Sequence, residues 1–148
     1  MRILLQRVSR AAVGVDGETI AEIGRGLLLL VGIGAGDGPS EDDRLADKVV
    51  HLRVFEDDDR KMNRSLADVG GEILVVPQFT LYGDLRSGRR PSWDGAAPPE
   101  LAADRVEAFA RALEARGAPV QRGRFGAHME VDLVNDGPVT LWLDTAER

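Results

Sequence analysis

Residues 26–33, Gly-Leu-Leu-Leu-Leu-Val-Gly-Ile, form an unbroken apolar run of strand length. A strand with one wet face alternates apolar and polar residues, so this run predicts a strand covered on both faces and central in its sheet. Its flanks agree with that reading. Arg2 to Val8 and Ala11 to Val15 are β-rich runs, and Asp16-Gly17 ahead of Glu18 to Ile23 is a strong hairpin signal, so the chain opens as a β-meander.

Helical periodicity follows in two places. Ser40 is placed to cap a helix, with Glu41, Asp42 and Asp43 favouring its positive end and Leu45, Val49 and Leu52 on one face. Pro99 suits a first helical position, and Ala102, Val106, Phe109, Ala110 and Leu113 recur at helical spacing until Gly117-Ala118-Pro119 closes the segment. Between the helices, residues 56–64 carry no apolar period and read as a loop, and 73–81 reads as a strand. The Gly-, Pro- and Arg-rich stretch from Tyr82 to Pro99 is a long loop of the kind that is uncommon unless functional. At the C-terminus Met129, Val131 and Leu133 alternate before an Asn-Asp-Gly-Pro turn, and Val139, Leu141 and Leu143 alternate after it. Two helices against a mostly antiparallel, barrel-like sheet make an α+β fold, expected as a single domain over residues 1–148.

Composition removes several function classes. With no cysteine in 148 residues, disulfide and thiolate chemistry are excluded, and zinc would need both histidines plus carboxylates, so no metal and no cofactor are expected. The N-terminus turns polar too soon for a secretory signal and no apolar run approaches the ~20 residues of a membrane span, which predicts a soluble cytoplasmic protein. A net charge of -6 argues against coating long nucleic acid. The charge is uneven, however: nine acids face three bases over residues 37–59, while eight arginines outnumber six acids over 84–124. That second segment suits the end of a tRNA or is an ordinary mixed-charge surface.

Three motifs are weaker than they look. Gly32-Ile33-Gly34-Ala35-Gly36-Asp37-Gly38 follows a strand and precedes a helix, but a dinucleotide fingerprint needs glycine where this chain has Asp37 or Pro39. A strand-to-helix turn is the better reading. Asp57-Asp58-Asp59 lacks the alternating acids, sixth glycine and twelfth glutamate of a calcium loop. His51 and His128 have no serine in a nucleophile elbow to serve.

What remains is Pro77-Gln78-Phe79-Thr80 and, far away in sequence, Asn135-Asp136-Gly137-Pro138-Val139-Thr140. A strand end bearing Gln78 offers side-chain and main-chain donors where the chain leaves a sheet, as an oxyanion site requires. Thr80 has no obvious base, which favours positioning over covalent catalysis, although a threonine packing in a strand is the plain alternative. Gly137-Pro138 reads as a hairpin turn or as rigid backbone set close to a substrate.

Together with Gln6-Arg7-Val8, Lys61-Met62-Asn63, Arg90-Pro91-Ser92 and Gly123-Arg124-Phe125-Gly126-Ala127, these motifs resemble the D-aminoacyl-tRNA deacylase (D-tyrosyl-tRNA deacylase) family over essentially the whole chain. The resemblance implies a homodimer in which a cis Gly137-Pro138 turn enters the partner's active site as a main-chain wall against L substrates. It implies hydrolysis of D-aminoacyl-tRNA at its 3′ end, with Gln78, Phe79 and Thr80 at the ester and the Phe79 amide as oxyanion donor. Arg7 would brace the Gly-Pro turn, Phe125 and Met129 would flank the adenine, and the RNA 2′-hydroxyl would replace a protein nucleophile. A backbone wall should also pass glycyl-tRNA, including glycine mischarged on alanine tRNA. Pro77 departs from the family's usual serine, removing a hydroxyl and an amide donor. Proline there is similar to a related branch with a trans Gly-Pro turn, whereas Phe79 and the intact Asn-Asp-Gly-Pro-Val-Thr match the main branch. Rival readings are a noncatalytic module that grips an RNA end and a nucleotide-binding protein using the glycine-rich turn.

Overall fold

The computed structural model describes residues 1–147. Strand β1 (Arg2–Val15) pairs with β2 (Glu18–Ile23) through the Asp16-Gly17 turn and with β3 (Gly26–Gly32), all antiparallel. Helix α1 (Pro39–His51), the hairpin β4 (Phe55–Glu56) and β5 (Met62–Arg64), and the short helix α2 (Leu66–Val69) then lead into β6 (Glu72–Pro77). After a 3-10 turn (Phe79–Tyr82), a long connection reaches α3 (Pro99–Ala115), β7 (Val120–Arg122) and β8 (Glu130–Asp144). The main sheet runs β2-β1-β3-β6-β7, with β8 on the other side of β1. Its β3-β6-β7 part is parallel and the rest antiparallel.

The apolar run sits where its pattern predicts. Leu27, Leu28 and Leu29 are all fully buried, each contributing ~1.5–3 kcal/mol on area grounds. Leu27 and Leu29 face a core shared with Val49 of α1 and Phe109 and Leu113 of α3. Leu28 faces a second core with Val8, Val13, Leu74 and Val76, covered in part by Met129, Val131 and Leu133 where the sheet curls over itself.

Several boundaries differ from expectation. Helix α1 is capped at Gly38, with Pro39 first and the Glu41 carboxylate accepting from the Gly38 amide at 2.9 Å, so Ser40 lies inside the first turn. Proline, with fixed φ and no N–H, suits that first position better than an interior one. Residues 56–64 are organised as a hairpin end, because Asp57 accepts from the Asp59 and Lys61 amides and from Asn63 Nδ2 at 2.8–3.0 Å. A third helix, α2, is one turn held between Ser65 and a left-handed Gly70, too short to show a period. The strand expected over 73–81 ends at Pro77. Finally, the Asn-Asp-Gly-Pro segment is no hairpin: β8 continues along β1, pairing Val8 with Asn135 and then Gln6 with Thr140.

In the glycine-rich turn, the Asp37 carboxylate accepts from the Gly34 amide at 2.6 Å and pairs with the Met1 ammonium. An acid already fills that turn, as a strand-to-helix connection allows and a phosphate site does not.

Candidate active site

Parallel strands bring their C-terminal ends to one side of a sheet, and the loops leaving them frame a crevice. Here the segments after β6 and β7 and the approach to α3 enclose a cavity of about 730 Å³. Pro77, Gln78 and Phe79 form one wall, Trp93, Asp94 and the start of α3 a second, and Phe125, His128 and Met129 a third. Among its lining residues only Asp94 and His128 carry an acidic or basic side chain, and none is a serine, cysteine or lysine. The cavity therefore offers binding surface and hydrogen bonds without an activated protein nucleophile.

The local chemistry of residues 77–83 explains its donors. Pro77 closes β6 without an N–H, and the Gln78 amide makes the last rung to the Val31 carbonyl at 2.7 Å. The chain then winds into the 3-10 turn, with the Leu81 amide on the Gln78 carbonyl at 3.3 Å and the Gly83 amide on Thr80 at 3.0 Å. First-turn amides have no partner within their own helix. Among the described residues the Phe79 and Thr80 N–H groups bond to nothing. The main-chain donor expected at Gln78 is thus already used, because it belongs to the strand ladder, and the free donors lie one and two residues later. The Gln78 side chain donates to the Thr80 hydroxyl. That leaves the hydroxyl's own proton for another acceptor.

Two anchors hold this turn. The Phe79 ring, 54% exposed, meets Trp93 edge-on at 5.1 Å. From β1, Arg2 donates to the Leu81 carbonyl at 3.0 Å, stacks 4.5 Å from the Tyr82 ring centre and pairs with Asp144 at 2.9 Å. Burial, and then the Asp37 carboxylate beside it, push the Tyr82 phenol up, so it stays neutral and structural.

Arg7, Gly137 and Pro138 lie together elsewhere and line no part of this cavity. Arg7 is 4% exposed; it donates to the Val54 carbonyl at 2.7 Å and the Asp136 carbonyl at 3.3 Å, and pairs with the Asp136 carboxylate at 3.2 Å. Asn135 fastens the other side, donating to the carbonyls of Arg7 at 3.0 Å and Val139 at 3.1 Å. Gly137-Pro138 is a cis peptide on the exposed surface. Of the residues singled out from sequence, Gln78, Phe79, Phe125 and Met129 share the cavity, while Thr80 stands beside it through Gln78. Trp93 and Asp94 were missed, although they directly follow the Arg90-Pro91-Ser92 motif, and His128 was set aside for want of a serine.

The family described as D-Tyr-tRNA(Tyr) deacylase matches residues 4–144. The chain is 62% identical over 147 residues to the D-aminoacyl-tRNA deacylase of Thermomicrobium roseum, covering 99% of this chain and 96% of that one. It is 60% identical over 146 residues to the D-aminoacyl-tRNA deacylase of Roseiflexus castenholzii, with 99% and 93% covered. A solved structure of a c-Myc DNA unwinding element binding protein superposes with a TM-score of 0.92 at 40% identity, covering 98% of this chain and 99% of that one. A probable eukaryotic D-amino acid tRNA deacylase superposes with a TM-score of 0.81 at 17% identity over 96% and 97% of the two chains, a likeness of fold. With a family match spanning all but the chain's ends and relatives near 60% identity along its length, this chain belongs to the D-Tyr-tRNA(Tyr) deacylase family.

Proposed function

We propose that the cavity binds the 3′-terminal aminoacyl-adenosine of a tRNA and that the free amide of Phe79 stabilises the oxyanion formed during ester hydrolysis. Family membership carries the coarser statement: the chain is a hydrolase of the D-aminoacyl-tRNA ester bond. The observation that carries the finer one is a pair of unpartnered main-chain donors, Phe79 and Thr80, beside a cavity without a nucleophile. Water adds to the ester carbonyl, the charge on its oxygen is met by the Phe79 N–H, and the carbon–oxygen bond to the ribose breaks. The products are a D-amino acid and tRNA with a free 3′-hydroxyl. The ribose 2′-hydroxyl assists this step, which accords with a cavity lining that holds no serine, cysteine or lysine. Thr80, oriented by Gln78, positions the amino acid, and Phe125 and Met129 hold the adenine.

Chirality is read by a partner chain in this proposal. Gly137 and Pro138 are exposed and lie outside the lining of their own chain's cavity, and Val134, Leu141 and Trp142 expose apolar surface on the same strand. These features support a homodimer in which each Gly-Pro segment, braced by Arg7, closes the partner's cavity. Carbonyl oxygens there collide with an L side chain and leave a D side chain free. Glycine has nothing to collide, so glycyl-tRNA, including that mischarged on alanine tRNA, is also a substrate. As one domain acting on charged tRNA, the protein works in the cytoplasm, where it proofreads the input to translation.

Incubation of the purified protein with D-tyrosyl-tRNA and L-tyrosyl-tRNA tests this reading. Loss of the D ester alone is expected. Intact esters with measurable tRNA binding would instead describe an RNA-end-binding module, and glycyl-tRNA untouched at enzyme excess would remove the glycine corollary.

A further inference from the structure

The hairpin that follows the 3-10 turn carries positive charge that the fold leaves unused. Residues 84–92 hold three arginines and one acid, in a chain whose net charge is -6. Arg86 already clamps that acid, Asp84, at 2.6–3.0 Å, and its hydrogen bonds pull the Asp84 carboxyl down to about 2. Arg89 and Arg90 at the tip are exposed and form no ion pair among the described residues. Arg124, exposed beside the lining residue Phe125, has no acidic partner among them either. Such cations gain nothing for folding where they stand.

The base of the hairpin is fastened to the site. Asp84 and Ser92 exchange amide-to-carbonyl bonds at 2.8 and 3.0 Å, closing the hairpin stem. Trp93, the next residue, packs on Phe79. Gly83 is boxed in, since a side chain there would come within 2.9 Å of the Trp93 ring and 3.1 Å of the Thr80 carbonyl. The tip is thereby registered against the turn that carries the free amides. Trp93, which continues the hairpin, and Phe125, which follows Arg124, both line the cavity, so an RNA whose last nucleoside fills it lies against residues next to these arginines in the chain.

We propose that Arg89 and Arg90, together with Arg124, bind backbone phosphates at the acceptor end of the tRNA and so raise its affinity for the site without touching the reacting atoms. This rests on the deacylase reading and adds a contact surface to it. The contacts are to phosphate and carry no base specificity. Neutralising phosphates also makes binding depend on salt in proportion to their number, so removing two arginines flattens that dependence by about 1.5 to 2 units of slope.

The test compares D-tyrosyl-tRNA with 3′-O-D-tyrosyl-adenosine, which has the same ester and no phosphates. In R89A/R90A, KM for the tRNA is expected to rise about tenfold with a shallower salt dependence, while kcat and hydrolysis of the small ester stay unchanged. R124A should shift KM in the same direction, and R89K/R90K should recover most of the loss, because a phosphate accepts any nearby cation. Unchanged KM and salt slope in R89A/R90A would overturn the proposal, as would an equal loss on the small ester, which would make the hairpin a mere support for the turn. Wild-type protein inert towards both esters would end the deacylase reading and this proposal with it.

Discussion

The guanidinium of Arg7 occupies the space that a side chain on residue 137 would need: a β-carbon on Gly137 would collide with Arg7 Nη2. Residue 137 also has φ +113°, a region almost closed to residues with a side chain. Gly137→Ala should therefore displace the segment, at roughly 1–3 kcal/mol of backbone strain. Turnover of D-tyrosyl-tRNA is expected to drop at least tenfold. Wild-type turnover in a folded Gly137→Ala protein would show that this segment stays outside the reaction.

Arg7 itself satisfies carbonyls that its loss would strand. Arg7→Ala leaves the Val54 and Asp136 carbonyls without their donor and opens a gap in a site only 4% exposed. A buried polar group stranded in this way costs about 1–3 kcal/mol. Lysine keeps the charge but not the fork that reaches two carbonyls, so Arg7→Lys should recover only part of the stability. Denaturant midpoints of the three proteins check that order.

Thr80 separates stability from turnover. Its side chain is exposed and bonded only to Gln78, so Thr80→Ala should unfold within ~0.5 kcal/mol of wild type, as surface changes do. Its kcat on the D ester is expected to fall about tenfold or more, a typical cost of losing an oriented group. Full activity would remove Thr80 from the site.

Asp42 supplies a pH dependence unrelated to catalysis. It is 4% exposed, pairs with Arg105 at 2.7 Å across α1 and α3, and keeps its other oxygen buried without a partner. Burial pushes its carboxyl up from 3.8 to about 6, against the pull of Arg105. A pKa raised by folding means that the folded state holds the proton more tightly. The contribution to stability is full below about 4 and is lost as pH rises through about 6. Asp42→Asn should flatten the difference in unfolding free energy between pH 4.5 and pH 7. An identical pH profile for the two proteins would exclude Asp42 as its source.

Much of this fold could be read from residue order because the signals are local. The doubly buried β3, the Asp16-Gly17 hairpin and the apolar face of α3 each follow from a period or a dipeptide that acts within a few residues. Where the reading failed, a partner distant in sequence decided the outcome. The ladder of β6 runs out at the rung from the Gln78 amide to the Val31 carbonyl, and 135–140 bulges out of β8 while its two ends stay paired to β1, Asn135 to Val8 and Thr140 to Gln6. Residues 56–64 read as a loop for the opposite reason: Asp57 organises them by side-chain hydrogen bonds that leave no hydrophobic period.

The sequence by itself determined the fold class and the two motifs that mark the family, since periodicity and turn chemistry are properties of neighbouring residues. Only the tertiary structure decided which amides are free, which residues share a cavity, and that Gly137-Pro138 stands apart from the cavity of its own chain. Those properties depend on which strand ends, carbonyls and rings meet across the fold, and residues such as Val31, Trp93 and Arg7 reach their partners only after the sheet has formed.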